Sequence, residues 1–225
     1  MPNATISVAH EEVLLLPERA IFFKALKTLV ISDVHLGKIN HFRKAGIAVP
    51  VAANRANLET LIKLLMELKP KRTIFIGDLF HSVYNAEWEA LAPIIKNFSS
   101  CSFELVPGNH DIMSAVQYER HQIQVQPLEL PLTSNIILTH EPREAARESY
   151  VICGHIHPAV SLSGRGRQSI TLPCFWFGKN QAVLPAFGVF TGMKPIAPVV
   201  GDQVFAVVKN EVLDVSLPPV EQNSN

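Results

Sequence analysis

Short apolar runs rich in β-branched residues recur along the chain, and each stops at a residue able to bind a metal. TLVIS stops at Asp33, TIFIG at Asp78, FELVPG at Asn109, NIILT at His140 and YVICG at His155. Between the first runs lie helical patterns. The clearer one places Leu58, Leu61, Ile62, Leu65 and Leu68 on a 3.6 period and stops before Pro70; a second spans Ala86 to Phe98 and is expected to be interrupted at Pro93. Strands alternating with helices predict βαβ units in a parallel or mixed sheet, whose strands read as continuous apolar runs because both faces are covered. In such sheets the C-terminal strand ends open onto the ligand crevice, so the polar clusters should converge on one edge.

After about Ala159 the pattern changes to short strand-like pieces, AVSLS, QSITL, CFWF, VFAVV and EVLDV, with turn signals at GRGR and at Lys209-Asn210. These predict a second, more antiparallel sheet stacked on the first, within a single α/β (α+β) domain over residues 1–217. Residues 218–225, proline and polar, have nothing to bury and are expected to be a disordered tail.

A histidine near a strand end is ordinarily a surface or core residue, so the chemistry rests on number and order. Asp33-Val34-His35 puts two donors on one period-2 face, if the strand extends that far, and His155-Ile156-His157 repeats the spacing with Gly154 allowing close backbone approach. Adding Asp78, Asn109 and His140 gives seven candidate ligands, more than the four of a closed zinc site. Imidazole mixed with carboxylate and amide oxygen suits Mn, Fe or Zn better than Mg or Ca. The nucleophile elbow GxSxG and the phosphate loop GxxxxGK[ST] are both absent from the sequence.

SDVHLGK, GDLF, GNHD, TH and GHIHP, spread over about residues 30–158, resemble in order the motifs of the calcineurin-like metallophosphoesterase superfamily. That resemblance implies a four-layer αββα sandwich of two mixed sheets flanked by helices, and an enzyme holding two divalent ions, Mn foremost with Fe or Zn as alternatives. One ion would take Asp33, His35, Asp78 and His157; the other would take Asp78, Asn109, His140 and His155, with Asp78 bridging. His110 would protonate the leaving oxygen or stabilise the charged transition state. Asp111 would either orient the His110 ring or serve as a turn or cap residue.

Many phosphatases of the superfamily place an arginine shortly after the second motif, where this chain has His81. GDLFH is more similar to the double-strand-break repair nucleases, and residues 32–50 resemble the ligase-associated DNA damage response endonucleases of the PdeM type. The implied substrate is a phosphodiester, with DNA the favoured class. Lys38, Arg43, Phe42 and His81 are the candidate substrate contacts, and a DNA ligase or helicase is the expected functional partner. A phosphomonoesterase, a pyrophosphohydrolase acting on nucleotides or lipid precursors, and a scaffold that has lost catalysis are the competing readings.

Lys+Arg and Asp+Glu number 20 each, so any grip on nucleic acid must be local. The arginines of GRGR are expected to be solvated, and CFWFG is expected to be core. The start has no basic n-region, and Val13 to Leu16 is too short for a signal peptide or a span, so a soluble cytoplasmic protein is expected, with no membrane contact. Cys101, Cys153 and Cys174 lack CxxC spacing and read as buried hydrophobes. A mean hydropathy of +0.18 fits a homodimer surface or a large core equally.

Overall fold

The computed structural model describes residues 3–38, 52–81, 86–143, 149–164 and 168–218. Two mixed sheets are stacked face to face. In the first, β1 (Ala4–Val8), β2 (Glu11–Leu16), β3 (Ala20–Phe23), β4 (Thr28–Ile31), β5 (Arg72–Ile76), β6 (Ser102–Val106) and β7 (Ile123–Val125) lie in chain order. Pairing is antiparallel up to β4 and parallel from β4 onward. The second is built of β8 (Leu130–Pro131), β9 (Ile136–Leu138), β10 (Tyr150–Cys153), β11 (Pro158–Ser163), β12 (Ser169–Phe177), β13 (Gln181–Val183), β14 (Lys194–Pro195), β15 (Gln203–Val208) and β16 (Glu211–Asp214). There β10 runs parallel to both β9 and β13, while β11, β12, β15 and β16 pair antiparallel.

Side-chain alternation divides the first sheet between two cores. Ile21, Phe23, Val30, Ile74, Ile76 and Val106 face the second sheet, meeting Ile136, Ile152, Phe175 and Phe205. Phe22, Leu29, Ile31, Phe75 and Leu105 face the other way, toward α1 (Ala52–Leu68), α2 (Ala86–Asn97) and α3 (Ala115–Glu119). The helices of the described residues therefore all lie on the outer face of the first sheet. None is long and apolar enough to cross a membrane.

Three details differ from the sequence reading. The helix α2 runs through Pro93 without interruption: Leu91, Ile94 and Ile95 are buried around an exposed proline, and that packing outweighs one missing amide bond. QSITL and CFWF form one strand, β12, which passes through Pro173 in register with Ala159. Strands β1 to β3 carried no recognised turn signal, because the two-residue turn between β1 and β2 is made by Ala9 and His10 at φ 46° and 73°, without glycine or asparagine. The Lys209-Asn210 hairpin is as expected, with Val208 opposite Glu211. All three cysteines are buried and free. The GRGR arginines 165 and 167, and residues 219–225 of the tail, lie outside the described residues.

Phe80, two residues beyond Asp78, stacks on Trp88 of α2 at 4.0 Å between ring centroids, and Tyr118 closes the cluster at 5.2 Å from Trp88. This aromatic block lies beneath the second motif. Trp88→Ala is expected to cost about 3–5 kcal/mol, read as a lowered urea midpoint with an unchanged slope.

Candidate metal centre

Beyond Ile31 the chain leaves β4 but stays laced to the loop that follows β5. Asp33 N–H donates to Gly77 O at 3.2 Å, His35 N–H to Asp78 O at 2.8 Å, and Leu36 N–H to Leu79 O at 2.9 Å. The donors are thus not on an extended strand, as period-2 spacing supposed. Asp33 and His35 both sit at positive φ, 53° and 49°, and so do His155 and His157, 66° and 54°. Left-handed backbone at alternate residues turns both side chains of each pair to one side, at a cost of roughly 1–3 kcal/mol per residue. Asp78 is a further case at φ 51°.

Two glycines make the close approach feasible. A Cβ on Gly154 would stand 1.8 Å from Ser32 Oγ and 2.4 Å from Asp33 Oδ2, and one on Gly77 would stand 2.0 Å from His140 Nδ1. Through the first gap the His155 N–H donates to Asp33 Oδ2 at 2.9 Å, and the Ser32 hydroxyl donates to the same oxygen.

Two groups of donors result: Asp33, His35 and His157, and beside them Asp78, His140 and His155, each with its atoms within 4.8 Å of one another. Asp78 lies between them, Oδ2 3.6 Å from His35 Nε2 and Oδ1 3.5 Å from His140 Nε2. Asn109 joins the second group, its Oδ1 3.2 Å from His140 Nε2. All seven sequence-predicted ligands therefore meet at one rim.

The protonation pattern shows what this rim lacks. His140 Nδ1 lies 3.1 Å from the Ile76 carbonyl, and His157 Nδ1 lies 3.1 Å from the Gly192 carbonyl. A carbonyl only accepts, so in the neutral rings Nδ1 carries the proton and Nε2 keeps a bare lone pair. The His157 Nε2 lone pair then points at a carboxylate oxygen, Asp33 Oδ1, 3.2 Å away, while His140 Nε2 lies 3.1 Å from His155 Nδ1. Among the described residues, Asp33 Oδ1 and His35 Nε2 are buried without a hydrogen-bond partner. An uncompensated buried polar atom costs roughly 1–3 kcal/mol, and positive charge placed between the groups would make the arrangement favourable. The residues fit divalent metal ions, with second partners already fixing the imidazoles as metal-binding histidines require.

Ionisation agrees with this. Burial, reinforced by the Lys38 charge, pushes the His35 imidazole down to about 2, leaving it a neutral donor. Burial pushes the Asp33 carboxyl up, but its contacts with His157 and the Ser32 hydroxyl, with any positive charge carried by His157 or His140, outweigh that, and it stays below the usual carboxylate range.

Of the other predicted residues, His110 lies over the rim. Its backbone N–H donates to Asp78 Oδ1 at 2.9 Å, and its ring stacks on His81 at 4.9 Å and meets His35 edge-on at 5.4 Å. The Asp111 carboxylate accepts from Gly108 N–H at 2.9 Å, Leu79 N–H at 3.1 Å, Phe80 N–H at 3.3 Å and Tyr118 Oη at 3.0 Å. It ties the GNHD loop to the GDLF loop, and burial, with the Asp78 charge adding, raises its pKa to about 6. Lys38 is half-buried in a small cavity lined also by His35, Asn57, Phe190 and Thr191. His81 Nδ1 lies 3.5 Å from His35 Nδ1. Arg43 and Phe42 lie outside the described residues.

A model of the calcineurin-like phosphoesterase family matches residues 26–171, well over half of the chain. The chain belongs to that family. This phosphoesterase is similar over 94% of its length, and all of the other's, to the crystal structure of the nuclease MPE of Pseudomonas putida, with 28% identity and a TM-score of 0.79. It also matches the phosphoesterase Yfce of E. coli, at 13% identity, 85% and 99% coverage and a TM-score of 0.46. A protein of unknown function from Aquifex aeolicus, AQ665, matches at 19%, 58% and 78%, and 0.41. The last two superpose too loosely to carry weight. No curated protein matches the chain.

Several contributors to this phosphoesterase's site carried no motif. Gly192 and Ile76 act through backbone carbonyls, which leave no trace in side-chain pattern. Asn57 is different: it is buried one turn before Leu61 on α1, takes the Val189 N–H at 3.2 Å and donates to the Val34 carbonyl at 3.5 Å. A polar residue in the apolar stripe of that helix was the available signal.

Gly154→Ala is expected to keep the far-ultraviolet circular dichroism of the native fold and to lose most divalent-ion binding, measured by calorimetric titration with Mn2+. Native affinity in that variant would contradict the packing described.

Proposed function

We propose that this metallophosphoesterase is a nuclease, hydrolysing phosphodiester bonds in DNA with two Mn2+ ions and serving DNA repair. The observation that carries the two-metal part is the Asp78 carboxylate, which offers one oxygen to each donor group. A carboxylate with two oxygens can join cations about 3.5–4 Å apart. The substrate class is supported by the likeness to a nuclease along nearly the whole chain.

Asp33, His35, Asp78 and His157 would hold one ion, and Asp78, Asn109, His140 and His155 the other. When bound, the ions supply charge to neutralise the phosphoryl oxygens and acidity to activate a water. The protein's own residues do the rest. Lys38 stands within the influence of the Asp33 and Asp78 carboxylates, where a phosphate can be held against its ammonium. His110, fixed through its N–H on Asp78 and by stacking on His81, donates a proton to the leaving oxygen. Asp111 positions that loop through its four hydrogen bonds, and Asn57 keeps the 188–190 segment against the Asp33 loop.

Two outcomes test this. Asp78→Asn should hold fewer than two ions per chain by elemental analysis and should cleave neither DNA nor bis(p-nitrophenyl) phosphate. His110→Asn should lose about 10²–10⁴-fold in kcat on DNA, whose alkoxide leaving group needs a proton, and far less on the p-nitrophenyl diester. Equal losses on both would remove His110 from proton transfer, and a clear preference of the native protein for phosphomonoesters would replace the nuclease reading.

A further inference from the structure

The second sheet carries a cavity of about 590 Å³, lined by Pro142, Arg143, Trp176, Lys179, Gln181 and Asp202 among others. None of the family motifs reaches it. A smaller cavity, about 190 Å³, adjoins the metal centre and is lined by Asn109, His140 and Arg143. Arg143 lines both, so the two are neighbours along one surface. Arg143 is three steps along the chain from His140, which bounds their separation at about 11 Å.

Topology gives the direction. Because β10 and β13 are parallel with Val151 opposite Gln181, the 178–180 turn sits at the start of β10, whereas His155 follows its end. Four residues of extended chain span about 13 Å. At about 3.4 Å per nucleotide, that length accommodates roughly four nucleotides of a stacked strand.

The lining has the chemistry of a polynucleotide rather than of a single phosphate. Arg143 pairs through Nη1 with Glu129 at the surface, and its other N–H groups remain able to donate. Lys179 is exposed, and the exposed Asn180 beside it offers an amide. Two carboxylates line the path: Glu141 at the smaller cavity, and Asp202, whose Oδ2 accepts from Trp176 Nε1 at 2.8 Å and from Val199 N–H at 3.0 Å. Asp202 holds the indole in orientation. Cys174, Phe175 and Phe177 are buried as the sequence suggested, but Trp176 is only half-buried. It packs against Val151, Cys153 and Val183 and against the Cys174, Val204 and Ala206 cluster, and the part left uncovered lines the cavity. Cation, flat aromatic and amide in succession match phosphate, base and base edge.

We propose that this cavity is a binding subsite for the polynucleotide strand flanking the scissile phosphate, with Arg143 and Lys179 on its phosphates and Trp176 under a base. The inference rests on the nuclease reading above. It also answers how a chain without net charge grips a polyanion: the cations needed are few and are placed along one path from the metal centre.

The test uses the full-length protein with Mn2+, bis(p-nitrophenyl) phosphate, and single-stranded oligonucleotides from two to eight nucleotides. In the native protein kcat/KM should rise with length until about five nucleotides and then level off. Lys179→Glu should lower the ratio of the eight-mer to the dinucleotide roughly tenfold and flatten the salt dependence by about one unit of log–log slope. Trp176→Leu should lower the same ratio through lost stacking; should it fail to fold, Lys179→Glu decides alone. Lys96→Glu on α2, an equal charge change far from this path in the fold, should leave the ratio as it is. A length dependence unaltered by Lys179→Glu, or a native protein that gains nothing with length, overturns the subsite while leaving the nuclease reading intact. Hydrolysis of the small diester with no cleavage of any oligonucleotide would remove the nuclease reading and the subsite with it.

Discussion

Asp33 is fully buried at the end of β4 with one carboxylate oxygen satisfied by Ser32 and His155 and the other bare, facing the lone pair of His157. Beside it Asp78, His140 and His155 bring a second set of candidate ligand atoms together. Electrostatically this rim is incomplete without cations, and much of the fold is arranged to keep it so. Five of the ligand residues are held in left-handed backbone, and glycines stand where any side chain would fill the cage. Such a site is costly to the folded protein alone and favourable once positive charge is added.

Each ion would draw on both sheets. Asp33 and His35 come from the first sheet and His157 from the second; Asp78 and Asn109 come from the first, His140 and His155 from the second. A metal pair held there would link the two sheets at their common edge, as the apolar layer between them does along their faces. Parallel pairing explains why the edge is shared: β4, β5 and β6 all end on one side of the first sheet, and β9 and β10 end together in the second.

The convergence could be seen in the sequence because each of those strands is a continuous apolar run ending in a donor, a pattern that only covered parallel strands produce. The cysteine burial and the Lys209-Asn210 hairpin were visible for similarly local reasons. Less visible were features set by backbone geometry. Asp33 and His35 share a side through alternate left-handed residues, not through strand pleat, and spacing alone cannot distinguish the two. Strands β1 to β3 escaped because Ala9 and His10 form a turn that propensity assigns to glycine and asparagine. Pro93 looked like a helix break until burial of Leu91, Ile94 and Ile95 was known. The carbonyls of Ile76 and Gly192, which set the histidine tautomers, have no sequence signature at all.

The centre's composition is tested most directly by anomalous diffraction from crystals grown with Mn2+ and recorded at the manganese absorption edge. The account predicts two peaks about 3.5–4 Å apart, one on each side of Asp78, the first within coordination distance of Asp33, His35 and His157 and the second of Asn109, His140 and His155. A single peak, or none at this rim while the protein still hydrolyses a phosphodiester, would contradict it.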